Sequence, residues 1–306
     1  MNSSPPQNIA IIGAGFTGLS AALHLAKQGH HVKIFEADDA VGGLAGSFDI
    51  GGERLEKFYH HWFTNDKYIS TLVKELNCEN NIVHRPTETG SYYANKIFRL
   101  STPLDVLKYT PISLYARFRL GLLVLLARTV RNWKKLEKIT AYDWIQKMAG
   151  IEVLEKVWKP LLIGKFGKYS HQISAVWFWN KLVLRGGSRG NSGKEVLAYY
   201  KGGFASLADK MCTEIKALGG EIHLKAPITD LDIKENEVVG VISAHNTYPA
   251  DVVLCTTPLP IFAELIRPYT DNSYVQLLNK IKYLGNTCLT LELNRSLSKT
   301  YWINIT

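Results

Sequence analysis

The sequence predicts an α/β fold, in which a parallel sheet carries helices on its faces and a mainly helical segment interrupts it. Three observations predict this. Near the amino terminus a short apolar run passes into glycines and then into an apolar repeat of three and four residues. From about Tyr92 to Val183 the chain is rich in Trp and Leu, is broken by Pro103, Pro111 and Pro160, and reads as mainly helical. Beyond that stretch a pattern of turn, helix and several strands returns.

The first unit is the most informative. Ile9 to Ile12 is a run of the kind that forms a buried strand. Gly13, Gly15 and Gly18 follow with the G-x-G-x-x-G spacing, and Ala14 and Thr17 fall within the same loop. Leu19, Ala22, Leu23 and Ala26 then mark one face of a helix, Gly29 stands where that helix should stop, and "HVKIFE" reads as the next strand. A missing side chain serves a different purpose at each glycine. Gly13 permits a tight turn, Gly15 lets the backbone approach a pyrophosphate, and Gly18 lets helix and strand pack closely. The unpaired N–H groups and dipole of the helix's first turn face the phosphate charge. Glu36, with Ala37 after it, ends the second strand where a carboxylate can accept hydrogen bonds from ribose hydroxyls. A 2′-phosphate would meet Glu36, Asp38 and Asp39 with no arginine nearby, so NADP is disfavoured and NAD or FAD remains.

The stretch "EADDAVGGLAG" adds Gly42 and Gly43 just beyond the acid. Here the chain resembles the FAD-dependent amine oxidase superfamily, which includes protoporphyrinogen oxidases, phytoene desaturases and UDP-galactopyranose mutases. The resemblance implies a Rossmann-like FAD-binding domain of the GR2 type, with an inserted mainly helical substrate domain. It implies FAD as cofactor, with the paired glycine carrying the chain past the pyrophosphate towards the flavin. Leu44 stands where most members have Arg or Lys.

Further along, "KGGF" at Lys201 to Phe204 would open the helix that returns to the FAD domain, and Ile222–Leu224, Ile228–Ile233, Val238–Ser243 and Asp251–Cys255 are the strand candidates. The backbone around Pro227 and Ile228 would lie beside the adenine, and "VVLCTTP", which contains Thr257, would lead towards the isoalloxazine. The expected division is an FAD-binding domain of residues 1–90 and 199–264, and a substrate domain of residues 91–198 and 265–306. Members of the superfamily continue past a segment like "LTLELNRSLSKTYWINIT" into a strand, a Gly-Asp turn and a helix facing the flavin phosphates. A chain ending at Thr306 is therefore expected to lack that part, to be poorly soluble and to load FAD weakly.

For catalysis, the resemblance brings Tyr59, His60 and His61 close to the flavin ring. Adjacent histidines on a strand would point to opposite faces, so at most one is expected to reach substrate, as a donor to a flavin carbonyl or as a proton relay. No metal site is expected from this pair. Amine oxidases proper commonly carry a lysine on a late strand. The comparable stretch Gly285–Leu293 contains none, which points away from amine oxidation proper. A flavin oxidoreductase dehydrogenating C–H or C–N bonds is expected, and the helical, aromatic-rich insertion with its basic helix suggests a lipophilic small-molecule substrate. Two other readings stay open. One is a sugar-nucleotide mutase, with Arg185 and Arg189 in the loop "RGGSRGNSGKE" gripping a diphosphate. The other is a non-catalytic, membrane-peripheral remnant.

Composition bounds these readings. At 306 residues, 46% hydrophobic and 11% aromatic, the chain is long and apolar enough for about two domains with real cores. Its four cysteines are far apart and form no C-x-x-C pair, which fits free thiols in a reducing compartment. The start "MNSSPPQ" has neither a basic region nor an apolar signal core, and a cytoplasmic protein is expected. Between Val106 and Ile139 eight cations face Glu137 alone, so this segment carries +7 of the chain's +9. Inside it "LGLLVLLA", Leu120 to Ala127, is too short to span a bilayer. It reads either as an interfacial helix making residues 106–139 a peripheral membrane surface on the cytoplasmic face, or as a buried helix with basic ends. Nucleic acid is not expected as a partner, because the aromatics here are not interleaved with the cations.

Overall fold

The structure is a computed structural model that describes residues 5–188, 190, 194–244 and 246–305. The chain divides into two compact units, one of Met1–His60, Leu72–Ile82 and Tyr200–Leu289, the other of His61–Thr71, Val83–Tyr199 and Thr290–Thr306.

In the first unit, strand β1 (Asn8–Ile12), helix α1 (Phe16–Lys27) and strand β2 (His31–Phe35) follow one another as the periodicity requires. Leu19, Ala22, Leu23 and Ala26 are buried. Gln28 caps the helix and Gly29, at φ +90°, donates to the Ala26 carbonyl at 3.0 Å, the left-handed turn that a glycine takes most cheaply. The sheet runs in the order Glu221–His223, β2, β1, Val252–Cys255, and every neighbouring pair is parallel. Strands far along the chain therefore flank the first two, with Glu221 opposite Lys33 and Val252 opposite Ile9. Lys33 joins β2 to the edge strand by an ion pair with Glu221 at 2.9 Å. That contact, with help from His223, holds the Glu221 carboxyl below the usual carboxylate range.

A second, antiparallel sheet runs through Ile228–Lys234, Glu237–Ser243 and Asn246–Pro249. Its first turn places Glu235 and Asn236 both at positive φ, the geometry of a tight hairpin. Leu231 and Val241 from this sheet share a core with Ala10, Ile12 and Phe35 of the parallel one. The strand Asn246–Pro249 goes unseen in the sequence reading because "NTYP" is short, polar and ends in proline.

In the second unit, the helices Leu114–Ala127, Ala141–Ala149 and Ala175–Gly187 build one core around Leu120, Leu123, Trp144, Ile145, Leu162 and Phe178. Each starts on a serine or threonine whose side chain accepts a backbone N–H: Ser113, Thr140 and Ser174. Two expectations change here. Residues from Tyr92 onward do not begin as helix: Thr89–Tyr93 and Lys96–Arg99 form a hairpin turned by Ala94 and Asn95 at positive φ, and Trp302–Ile305 adds parallel to its outer edge. The anticipated loop from Arg185 starts later, because Arg185, Gly186 and Gly187 complete the preceding helix. Arg128 donates to the Gly186 carbonyl at 3.0 Å and so closes its last turn.

Phe178 is almost fully buried and meets Trp158 and Trp144 edge-on, with ring centroids 4.7 Å and 6.0 Å away. Phe178→Ala is expected to destabilise the protein by about 3–5 kcal/mol, measured by denaturant unfolding followed through tryptophan fluorescence.

Candidate functional site

Two of the glycines after β1, Gly13 and Gly18, are held by contacts that leave no room for a side chain. A methyl group on Gly18 would stand far inside van der Waals distance of the Gly13 carbonyl oxygen, and one on Gly13 would meet Thr256 Oγ1 at 2.9 Å. Thr256 is the residue behind this fit. Its hydroxyl donates to the carbonyls of Ile12 and Gly13 at 3.0 and 3.1 Å, clamping the loop to the returning strand. The sequence reading names its neighbour Thr257, whose hydroxyl instead lies 3.1 Å from Cys255 Sγ. Residues alternate faces along a strand, and sequence alone does not say which of two adjacent threonines turns inward.

The second glycine pair packs against the first. Gly42, at φ +116°, donates to the Ala14 carbonyl at 2.9 Å, and a methyl group on Gly43 would meet Gly15 Cα at 3.1 Å. Two stretches nearly thirty residues apart thus touch backbone to backbone, which explains why glycines recur after the acid. Gly15 itself is different: a methyl group there would find only Gly43 Cα, at an ordinary 3.9 Å. The space over Gly15 is open.

Glu36 points into this loop. Its Oε2 accepts the Ala14 N–H at 2.7 Å and its Oε1 accepts the Asp38 N–H at 3.0 Å. Ala37 is exposed between them, and the edge strand follows: the Ala226 and Lys225 N–H groups donate to the carbonyls of Glu36 and Asp38. Ile228 is half-buried and packs with the core that contains Phe35 and Leu231. Thr17 is exposed on the first turn of α1, and Leu44 is exposed beyond the second glycine pair.

Two helix N-termini in this unit are treated differently. Helix α1 begins after extended Gly15 with no side-chain cap and no acid in its first turn. The helix Gly203–Ala217 begins after Gly202, and there a carboxylate arrives from another strand: Glu56 Oε1 accepts the Phe204 N–H at 2.8 Å. Nothing in the sequence marks Glu56 for this role, since a carboxylate capping a helix that starts 147 residues later leaves no local signal. Glu56 Oε2 also accepts the His60 N–H at 2.9 Å. The open N-terminus, the glycine cradle and the aimed carboxylate together fit a dinucleotide diphosphate and its ribose.

Tyr59, His60 and His61 do not lie on a strand as expected. They sit in an irregular segment between Glu53–Glu56 and Trp62–Phe63, because Glu56 holds the His60 N–H that a strand partner would need. In the first unit, His60 packs against Phe204, which packs edge-on against Phe16 at the start of α1. His60 Nδ1 is buried and its closest carboxylate oxygen, Glu56 Oε2, is 3.7 Å away, beyond a normal hydrogen bond. In the second unit, His61 Nδ1 lies 3.2 Å from the Tyr301 hydroxyl, beside the rings of Phe63 and Tyr199. Tyr59 is exposed. Of the two arginines named for a diphosphate grip, Arg185 faces the buried Glu195 at 3.8 Å, and Arg189 lies outside the described residues. Gly285–Leu293 forms no regular strand.

The profile of the family described as flavin containing amine oxidoreductase matches residues 16–303. The chain belongs to that family. FAD is the cofactor the assignment implies, in agreement with the resemblance read from the glycines and Glu36. Among curated relatives, the 15-cis-phytoene desaturase of Glycine max is 24% identical over 97% of the chain and 55% of the relative. The zeta-carotene desaturase of Zea mays is 28% identical over 51% of the chain and 32% of the relative. The chain thus spans about half the length of the curated relatives it matches. Among solved structures, an oxidoreductase from Methanosarcina mazei superposes with a TM-score of 0.70 at 21% identity, over 89% of this chain and 64% of that one. Cyclohexylamine oxidase from Brevibacterium oxydans superposes with a TM-score of 0.65 at 20% identity, over 90% and 63%. These superpositions establish the shared fold.

Gly15→Ala and Gly18→Ala are expected to part company. Gly18→Ala costs at least about 2 kcal/mol of stability, because helix and turn must separate. Gly15→Ala leaves the unfolding midpoint within about 0.5 kcal/mol but blocks approach of the diphosphate. Thermal unfolding and FAD titration of both variants check this.

Proposed function

We propose that the protein is an FAD-dependent oxidoreductase that dehydrogenates C–H or C–N bonds of a lipophilic small molecule. The carrying observation is the cradle: Gly13 packed on Gly18, Gly15 backed by Gly43, and Glu36 turned into the loop they form. In this reading the loop Gly13–Gly18, including Ala14 and Thr17, and the open start of α1 hold the diphosphate. Glu36 and Ala37 take the adenosine ribose, Gly42, Gly43 and Leu44 line the path past the diphosphate, Ile228 lies at the adenine, and Thr257 leads towards the ring system. Residues 1–90 and 199–264 form the cofactor domain, and 91–198 with 265–306 the substrate domain.

When bound, FAD supplies the hydride acceptor, and the chain's contribution is to orient, desolvate and manage protons. His60 is suited to that role, with a buried ring nitrogen short of a normal hydrogen bond and a backbone held by Glu56. Tyr59 and His61 remain the other candidates. The aromatic helical unit and the desaturase relatives support an apolar substrate, of polyprenyl, carotenoid-like or tetrapyrrole type. Among the described residues no helix is long and apolar enough to cross a membrane. The basic segment 106–139 supports reading the protein as cytoplasmic with a peripheral membrane surface on the cytoplasmic face.

The sugar-nucleotide mutase reading keeps one observation in its favour. Burial lowers the Lys181 ammonium below its ordinary range, and Lys165 and Arg185 add like charge beside it, which is a setting that attracts anions. The Glu195 carboxylate beside Arg185 weighs against it.

An absorption spectrum of the purified chain titrated with FAD tests the main reading. Bound-flavin bands are expected, bleached anaerobically by a lipophilic donor from a panel of polyenes, polyprenyl compounds and tetrapyrroles. Turnover without net electron transfer to an acceptor would mean a mutase, and absence of both loading and turnover a remnant. His60→Gln is expected to slow flavin reduction at least about 10²-fold with loading unchanged. Flavin reduction at the wild-type rate in both His60→Gln and His61→Gln would remove the histidines from the chemistry.

A further inference from the structure

The helix Leu114–Ala127 has two apolar stripes, and only one of them is used inside the protein. Ala116, Leu120, Leu123 and Ala127 are buried in the helical core. At about 100° per residue they occupy one narrow arc. Leu114, Tyr115, Phe118, Leu122 and Leu125 fall on the opposite arc, and all are exposed. Leu114 is 74% exposed, Phe118 68% and Leu125 61%, so this stripe has no cover from the described chain. Single exposed apolar residues need no explanation, but five on one face of one helix do.

The charges around the stripe identify its partner. By the same helical spacing Arg119 borders one edge, and Arg117 and Arg128 border the other. None of them is ion-paired among the described residues. Each donates to backbone carbonyls instead: Arg117 to Ile112 and Leu107, Arg119 to Lys147 and Met148, Arg128 to Gly186. Their guanidinium groups are held in place with their charge unneutralised. The short helix Pro103–Leu107 packs alongside and adds exposed Leu104 and Leu107, followed by Lys108. An apolar stripe with fixed, unneutralised cations along both edges is complementary to acyl chains beneath anionic headgroups, which meet that positive charge at the stripe's borders. The helix has 14 residues and so is about 21 Å long, short of the ~30 Å hydrocarbon core. It cannot span the bilayer and has to lie in its plane.

We propose that this stripe and its arginine border seat the protein on an anionic bilayer surface, with Leu114, Phe118 and Leu125 entering the acyl boundary. The surface is independent of the flavin reading. Co-sedimentation with phosphatidylcholine vesicles, with and without phosphatidylglycerol, tests it. The wild-type chain is expected to partition onto the phosphatidylglycerol vesicles and to be released by added salt. The triple variant L114S/F118S/L125S is expected to lower that partition at least about tenfold, with an unchanged thermal midpoint because all three residues are exposed. Should the triple variant not fold, F118S alone is expected to lower it about threefold. Wild-type binding by a folded variant overturns the proposal, as does a wild-type chain that ignores both vesicle types or binds both equally at all salt concentrations. A wild-type dimer dissociated by the same substitutions, without vesicle binding, also overturns it and assigns the stripe to a contact between copies.

Discussion

The cofactor-binding part of this protein depends on backbone touching backbone at the end of β1. Gly18 sits on the Gly13 carbonyl at a distance that only a hydrogen side chain allows, and Gly43, at positive φ, sits closely on Gly15. That crowding brings the start of α1, the tip of β2 and the turn after it to one place. Every other feature of the cradle follows from it. Thr256 can clamp two successive carbonyls because the loop is this tight, and Glu36 can accept the Ala14 N–H because the loop turns back towards it. The energy involved in any one of these contacts is modest, of order 1 kcal/mol for a hydrogen bond. Their geometry is mutually dependent, so a side chain at Gly13 or Gly18 would disturb them together.

Charge is distributed with the same economy. Glu56 satisfies the helix starting at Gly203, while the start of α1 is left without cap or acid. An uncapped N-terminus costs stability unless something anionic occupies it, and here the vacant donors adjoin the glycine loop. The Glu56 carboxylate also draws in the His60 backbone, so one side chain fixes both a helix start and the segment that carries the histidines. His60 owes its irregular backbone to that contact.

The helical unit shows how an apolar sequence can serve two surfaces. "LYARFRLGLLVLLA" has little amphipathic contrast as a string, because leucines fall on both sides of the helix. Its inward stripe is built from alanines and leucines that let the neighbouring helices approach closely. Its outward stripe carries the bulkier Phe118 and Tyr115 between arginines. Packing density selects the first set, and hydration of guanidinium groups keeps the second at the surface.

Much of this was legible in the sequence. The strand–turn–helix–strand unit was, because a buried strand, a glycine turn and an amphipathic helix each have a local period. The phosphate and ribose site was, because glycine spacing and an acid at the end of β2 encode it directly, and the flavin family was through the resemblance that Gly42 and Gly43 add. Three things were not legible. Glu56 and Thr256 act across 148 and 243 residues of chain, and no local pattern reports such a partner. The backbone of Tyr59–His61 was misread as strand because side-chain type suggests extension, whereas a carboxylate from Glu56 takes the N–H that a ladder would need. The two readings of the basic helix could be weighed only once its core-facing side was known. The sequence by itself determined the fold class and a dinucleotide site, since both rest on short-range periods and on where side chains are missing. FAD rather than NAD came from the family resemblance carried by the second glycine pair. The tertiary structure alone decided which threonine clamps the loop, which helix start stays open and which leucines face outward, because those depend on contacts between segments that meet only when the chain is folded.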